Sequence, residues 1–276
     1  MSGTNCSYCG ALNQAAAQVC IACGEMHDWE PVIDPNRPLS DIAPFGTDSA
    51  VSETFSIFTS NLWLITKIVV VAVAPFELFR AISLVQLGED FELPLLNLLL
   101  NGVSKVWVVP ALIYALMKVT LTGREPSVHE SYRWALTKAG KLGICVVIVT
   151  VLQALGYALL VIPGIIVSLV FILVYPIAVL EQGSVSEVFA RSLELTRGRR
   201  LQILGTLIVV GIPVFIASVL SSYIVGGGAT FWPLTATVGL VRDIMDQLLT
   251  ILSLVMYLSL PRSSPGGGHT VLSLSK

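Results

Sequence analysis

The chain has 276 residues, of which 54% are hydrophobic and only 12% charged, and its formal net charge is −2. Water-soluble domains carry about 25% charged residues, so a mean hydropathy of +0.81 argues against an ordinary aqueous globule and makes lipid the expected solvent. The near-neutral balance also lacks the basic footprint of a nucleic-acid binder.

The first 26 residues hold two Cys-x-x-Cys-Gly knuckles, "CSYCG" from Cys6 and "CIACG" from Cys20. Cys6, Cys9, Cys20 and Cys23 together offer four thiolates, the donor set of a closed tetrahedral zinc site. Gly10 and Gly24 follow the second cysteine of each knuckle, where a residue without Cβ lets backbone amides turn toward the sulfurs. Ten residues separate the two pairs, fewer than the usual zinc template, so the expected zinc ribbon is minimal. A segment this short cannot build a core, and structural Zn2+ would supply most of its folding energy. Four thiolates leave no open position for metal catalysis. In an oxidising compartment the same cysteines would read as disulfides, and a redox dithiol pair or an iron site is the other alternative. The polar, Cys-rich start has no basic n-region and no apolar h-region, so no signal peptide is expected. Residues 27–47 carry four prolines and several acids, the composition of an extended linker.

Residues 48–261 read as a membrane domain. A spanning helix needs about 20 mostly apolar residues. Two spans fit about Leu62–Leu84 and Leu93–Leu121. No charge occurs from Leu142 to Leu180, room for two spans broken at "VIPGII", where Pro163 and Gly164 permit a turn. None occurs from Leu201 to Val241 either. That stretch breaks at "VGGGATFWP", and a last span runs from about Leu234 to Leu260. The expected fold is an all-α polytopic membrane protein with six transmembrane helices in three hairpins, plus the N-terminal zinc ribbon. Residues 262–276 form a Gly/Ser-rich tail with the composition of a disordered segment.

Lys and Arg in short loops set orientation. Arg124, Arg133, Lys138 and Lys141 lie between spans two and three, and Arg191, Arg197, Arg199 and Arg200 between spans four and five. The opposite side carries the acidic "QLGEDFE" and two nearly uncharged loops. Both termini are therefore expected in the cytoplasm, with the chain multi-pass in the cytoplasmic (inner) membrane. A reducing compartment favours metal over disulfides at the knuckles.

Three segments resemble one another: "SAVSETFSIF", "PSVHESYRWAL" and "GSVSEVFARSL". Val51, Val128 and Val185 align, as do Glu53, Glu130 and Glu187, then Phe55, Tyr132 and Phe189, at offsets of 77 and 57 residues. Ser127 with Glu130, and Ser184 with Glu187, have capping-box spacing. In the first copy Ala50 occupies that slot, so Ser49 or Asp48 must cap. Apolar residues recur at helical spacing, and Glu187 and Arg191 are four apart on the polar face. Each hairpin is thus expected to be preceded by an amphipathic helix in the cytoplasmic interface, with plain connectors as the bland alternative.

The stretch from Leu155 to Arg200 contains "IPG" (Ile162–Gly164), "P-x-x-V-x-E" (Pro176–Glu181) and "RS-x-x-L-T-x-G" (Arg191–Gly198). It resembles the membrane domain attached to some glycerophosphodiester phosphodiesterases, a pattern also found in stand-alone bacterial and archaeal proteins. The resemblance covers about residues 48–260 and implies a helical membrane bundle. In those enzymes a soluble barrel follows and does the chemistry. Here the short tail takes its place, so the activity is not carried over. The knuckles resemble the zinc-ribbon modules of prokaryotic membrane and regulatory proteins.

Ionisable residues within spans are functional suspects. Lys67, Glu77, Lys105, Arg242, Asp243 and Asp246 qualify, and Glu77, Lys105, Arg242 and Asp246 are the foremost. Arg242 and Asp246 are four apart and can pair. Glu77 and Lys105 can pair across spans one and two, while Lys67 and Arg80 lie near span ends and can snorkel. Structural ion pairs are the bland reading of all of them. Pro75, Pro110, Pro176 and Pro213 lie within spans, a weak sign of the broken helices of transporters. His27, His129 and His269 are scattered, and no nucleophile motif or phosphate loop is present. Cys145 reads as a packing residue. The expectation is a non-enzymatic membrane scaffold or adaptor whose cytosolic zinc ribbon docks a protein partner. The alternative is a transporter or channel for a small solute or lipid, and a lipid enzyme ranks last.

Overall fold

The computed structural model describes residues 3–5, 12–14, 46–87, 94–181, 183–226 and 231–259. The chain divides into two units, Met1–Leu39 with Gly266–Lys276, and Ser40–Pro265. In the first, strands β1 (Gly3–Asn5) and β2 (Leu12–Gln14) pair antiparallel, with Gly3 opposite Gln14 and Asn5 opposite Leu12. Cys6 and Cys9 belong to the connection between these strands. They and Cys20 and Cys23 lie outside the described residues, as do most of the expected linker and the whole tail.

The second unit is helical in every described element. In chain order these are α1 (Thr47–Ser60), α2 (Leu62–Leu87), α3 (Pro94–Thr122), α4 (Val128–Leu159), α5 (Val161–Val170), α6 (Val174–Leu180), α7 (Val185–Thr196), α8 (Arg200–Gly226) and α9 (Trp232–Ser259). Four stretches are long and apolar enough to cross a membrane: Leu62–Ser83, Val128–Leu159, Ile162–Leu180 and Arg200–Ile224. The other two expected spans correspond to α3 and α9, of 29 and 28 residues. Arg242, Asp243 and Asp246 set α9 apart from the four.

The helices show why lipid suits them. On α8, Ile208, Ile212, Phe215 and Val219 point outward at helical spacing, whereas Ile203, Thr206, Val210 and Val214 are buried. On α4, Ile144, Val147, Val151 and Leu155 face outward, and Leu142, Cys145 and Val149 inward. Two such apolar stripes would be an aggregation liability in water and are at home in hydrocarbon. Exposed aromatics stand near helix ends, Trp63 at the start of α2, Tyr157 near the end of α4, Tyr223 on the last turn of α8 and Trp232 at the start of α9. Aromatic rings gather at membrane–water interfaces. The core is apolar and drawn from separated helices, with Leu64 and Ile68 of α2, Leu112 of α3, Ile177 of α6, and Leu248 and Leu252 of α9 all fully buried.

The internal repeat is visible in the burial pattern. Thr54, Ser131 and Val188 occupy one aligned position and are all buried, and so do Phe58, Ala135 and Ser192 one turn later. Ser127 and Ser184 cap α4 and α7, each hydroxyl accepting from the amide three residues on. In the first copy the helix starts a turn earlier. Gly46 is the cap residue, and Ser49 accepts from its amide, so Ser49 serves the start from within the first turn.

Two expectations change form. The second amphipathic segment is not a separate helix: it continues unbroken into the following span as the 32-residue α4. The sequence between Ala135 and Cys145 holds two glycines but no proline, and its leucines, lysines and alanine are good helix formers. The turn within Leu142–Leu180 also falls before the proline. Leu160 is extended, and Pro163 sits in the first turn of α5, where a missing N–H costs little. The hairpin closes tightly there: a Cβ on Gly156 would come within 2.9 Å of the Gly164 Cα, and one on Gly164 would overlap the Tyr157 ring. A further break divides α5 from α6 at Phe171–Leu173. Pro176 has no N–H for the Ile172 carbonyl and crowds it. The freed Val170 carbonyl accepts from the buried Ser192 hydroxyl at 2.7 Å.

Candidate functional site

Charges inside the helical unit concentrate between α2 and α9. Glu77 of α2 is 8% exposed at its side chain and is held from two sides. Arg80, one turn along α2, donates from Nη2 to Oε2 at 3.0 Å. Arg242 of α9 donates from Nη2 to Oε1 at 3.2 Å and also to Asp243 at 3.0 Å. The carboxylate lies directly on the α9 backbone, because position 239 is glycine: a Cβ there would overlap Glu77 Oε2 and stand 3.2 Å from Arg80 Nη2. A buried carboxylate keeps its charge only when paired and hydrogen-bonded, and two guanidinia meet that condition here.

The site brings together some of the expected residues and not others. Glu77 and Arg242 meet across helices. Arg242 turns to Asp243 and Glu77 rather than to Asp246. Glu77 takes its cations from Arg80 and Arg242, not from Lys105, whose side chain is exposed. Asp246 lies within the electrostatic reach of Asp243, Arg242 and Lys105, and among the described residues none hydrogen-bonds its carboxylate. Arg80 bends inward to Glu77 instead of snorkelling. Its i,i+3 spacing from Glu77 was the available signal. Gly239 carried none, since a helical glycine announces nothing about which carboxylate it admits. Lys67 does point outward, pairing with Glu125 at 3.1 Å and lying over the Trp63 ring.

Two smaller clusters join the repeated segments to the spans. Glu130 receives the Tyr114 hydroxyl and the Lys118 ammonium of α3, and Tyr114 stacks on Trp134. Tyr132 donates to the Ile68 carbonyl at 2.5 Å. Glu181, at the end of α6, gathers three other elements. Its carboxylate accepts from Tyr257 of α9 at 2.9 Å and faces Arg191 of α7 at 3.8 Å. Its carbonyl accepts from Lys141 of α4 at 2.6 Å. The "P-x-x-V-x-E" and "RS-x-x-L-T-x-G" signatures thus meet physically: Glu181 with Arg191, Ser192 with the α5–α6 break, and Gly198 at φ +79° just past the end of α7. In the first copy the aligned Glu53 is partly buried, and burial raises its carboxyl above the ordinary range. Cys145 is a free, buried thiol.

No family model, no curated protein and no solved structure matches the chain.

Proposed function

We propose that this chain is a non-enzymatic, multi-pass membrane platform that carries a cytosolic zinc ribbon for docking a protein partner. In this reading α2, α3, α4, α5 with α6, α8 and α9 make six crossings. The basic segments around Arg133 and Arg197 face the cytoplasm, and the domain is akin to the membrane domain attached to some glycerophosphodiester phosphodiesterases. The observation that carries it is the clamped Glu77: its charge is spent on Arg80 and Arg242 across two helices, which suits a fixed framework. Thiolates at Cys6, Cys9, Cys20 and Cys23 fit zinc by donor chemistry, and β1 and β2 pair on either side of the first knuckle. Zinc bound there would tie the two knuckles together; nothing in the site leaves it a catalytic position.

The test measures metal content of the purified full chain and its partner list in mild detergent, with Cys6→Ser/Cys9→Ser as the comparison. One zinc per chain and a partner lost in the variant are expected. A metal-free protein, or an unchanged partner list, removes the docking claim.

A second reading, transport of a small solute or lipid through the bundle, rests on Asp246. Its carboxylate sits in the electrostatic field of Lys105 and Arg242 without a hydrogen-bonded partner among the described residues, the condition of a group free to bind a passing cation or proton. Flux in proteoliposomes that is abolished by Asp246→Leu supports this reading, and undiminished flux removes Asp246 from the path.

A further inference from the structure

Three arginines crowd the turn between α7 and α8: Arg197, Arg199 and Arg200, within four residues. The turn is ordered. Arg197 donates its amide to the Glu194 carbonyl at 3.2 Å, Arg199 donates to that of Thr196 at 3.3 Å, and Gly198 takes φ +79°. Arg197 and Arg200 are exposed and Arg199 is half-buried. None of the three pairs with a carboxylate among the described residues. The acid next upstream, Glu194, is taken by Arg191 at 2.9 Å, and no acid follows until Asp243. Like charges this close repel one another, which favours an anion from outside the chain.

Depth narrows the kind of anion. The apolar stretch Arg200–Ile224 has 25 residues, about 37 Å of helix, against about 30 Å of hydrocarbon. Its first turn, which opens with Arg200, therefore stands at headgroup depth, since a guanidinium in the hydrocarbon would be costly. Two leucines flank the arginines there: Leu193 on α7 is 43% exposed and Leu201 on α8 is 84% exposed. Such side chains are poorly placed in water and well placed at the boundary of headgroups and acyl chains. The opposite face of α7 is pinned to the bundle, with Val188, Ser192 and Thr196 buried and Ser192 bonded to the Val170 carbonyl.

The first repeat shows that cations are not needed to lead such a helix into a span. At the α1–α2 junction Asn61 separates the helices, Leu62 and Trp63 are exposed, and α1 carries Asp48 and Glu53 but no Lys or Arg. Both junctions have apolar anchors, and only the α7–α8 turn adds a cluster of cations. We propose that Arg197, Arg199 and Arg200 form a docking surface for anionic phospholipid headgroups, with Leu193 and Leu201 entering the acyl boundary. The headgroups bring the negative charge that the turn lacks, and basic residues at this depth are attracted to an anionic leaflet. The assignment rests on α8 crossing a bilayer. It is independent of the zinc ribbon and of which face is cytoplasmic.

The experiment places the full chain in nanodiscs of phosphatidylcholine with a minor share of phosphatidylglycerol of the same acyl chains. The chain is then extracted in mild detergent at low and at high salt, and the lipids that stay with it are quantified by mass spectrometry. Incorporation tests the membrane reading, and the surface falls with it if the chain stays out. The lipid class retained tests the surface itself. The wild type is expected to keep phosphatidylglycerol above its bulk share at low salt and to lose that enrichment at high salt. Replacing Arg197, Arg199 and Arg200 by Gln is expected to lower the enrichment at least about fivefold, the effect of one surface cation or more. Replacing the same three by Lys is expected to keep it, because a surface potential responds to charge rather than to guanidinium shape. Should the triple Gln variant fail to fold, Arg197→Gln/Arg200→Gln, confined to exposed side chains, decides alone. Equal enrichment in the wild type and the Gln variants overturns the site. Equal retention of the two lipids by the wild type overturns the anionic class. A protein partner lost in the Gln variant, with phosphatidylglycerol enrichment unchanged, would assign the turn to an acidic protein surface instead.

Discussion

Glu77 and Glu181 are both carboxylates enclosed by helices, yet they are held differently. Glu77 sits mid-surface between two long helices, neutralised by two guanidinia and admitted only because α9 has glycine at position 239. Glu181 sits where α6 ends, and it uses its carbonyl as much as its carboxylate to gather Lys141, Arg191 and Tyr257. The first arrangement is a charge that must be compensated. The second is a helix terminus that collects neighbours which water or headgroups could partly replace.

The sharpest way to break that contrast is Glu77→Leu. It strands Arg80 and leaves Arg242 with Asp243 alone between α2 and α9, and is expected to cost about 3–5 kcal/mol, read as loss of thermal stability in detergent. Adding Arg80→Leu should recover part of the loss, because the cation that Glu77 alone paired is then gone while Arg242 keeps Asp243. If Glu181→Leu is as damaging as Glu77→Leu, the distinction is void. Next comes Gly239→Ala, whose new methyl collides with Glu77 and should cost about 1–3 kcal/mol. An unchanged Tm would mean that the carboxylate can move aside freely. Around Glu181, Tyr257→Phe removes one hydroxyl and should cost about 1 kcal/mol.

The repeats supply a finer comparison. Ser184→Ala removes a cap and should cost about 1 kcal/mol, measured the same way. Ala50→Ser, at the aligned position of the first copy, should gain nothing, because α1 already starts at Gly46 and Ala50 is buried. The smallest effect is expected at Glu53. Its folded-state carboxyl is raised by burial, so the folded chain holds a proton more firmly than the unfolded one. Stability then falls as pH rises from the ordinary glutamate value, about 4.3, through the raised one, and the penalty is complete above it. Glu53→Gln should therefore raise the Tm slightly at neutral pH and leave it unchanged below about pH 4. A gain that persists in acid would show that something other than ionisation is at work.

Much of this was legible beforehand. Ser127–Glu130 and Ser184–Glu187 announced two helix starts because capping is local chemistry, complete within one turn. Leu62–Ser83 and Arg200–Ile224 announced themselves by length and apolarity. The pairing of Glu77 was not legible. Sequence spacing ranks partners on the same helix, as it did for Arg242 with Asp246, but tertiary packing brought Glu77 of α2 to Arg242 of α9, 165 residues away. Nor was the continuity of α4, since a basic segment next to an apolar one reads as a boundary even when nothing interrupts the backbone hydrogen bonds. The break at Phe171–Leu173 could have been read from Pro176. Its repair by Ser192 required the fold.

The unbroken α4 has a mechanical consequence. A helix of 32 residues is about 48 Å long, whereas a bilayer's oily interior is about 30 Å thick. Roughly a third of the rod must stand clear of the hydrocarbon, and in the proposed orientation that third carries Arg133 and Lys138. Whatever grips those side chains holds a lever whose far end is the Gly156–Gly164 hairpin, so a push at one face of the membrane is delivered, without a joint to absorb it, to the other.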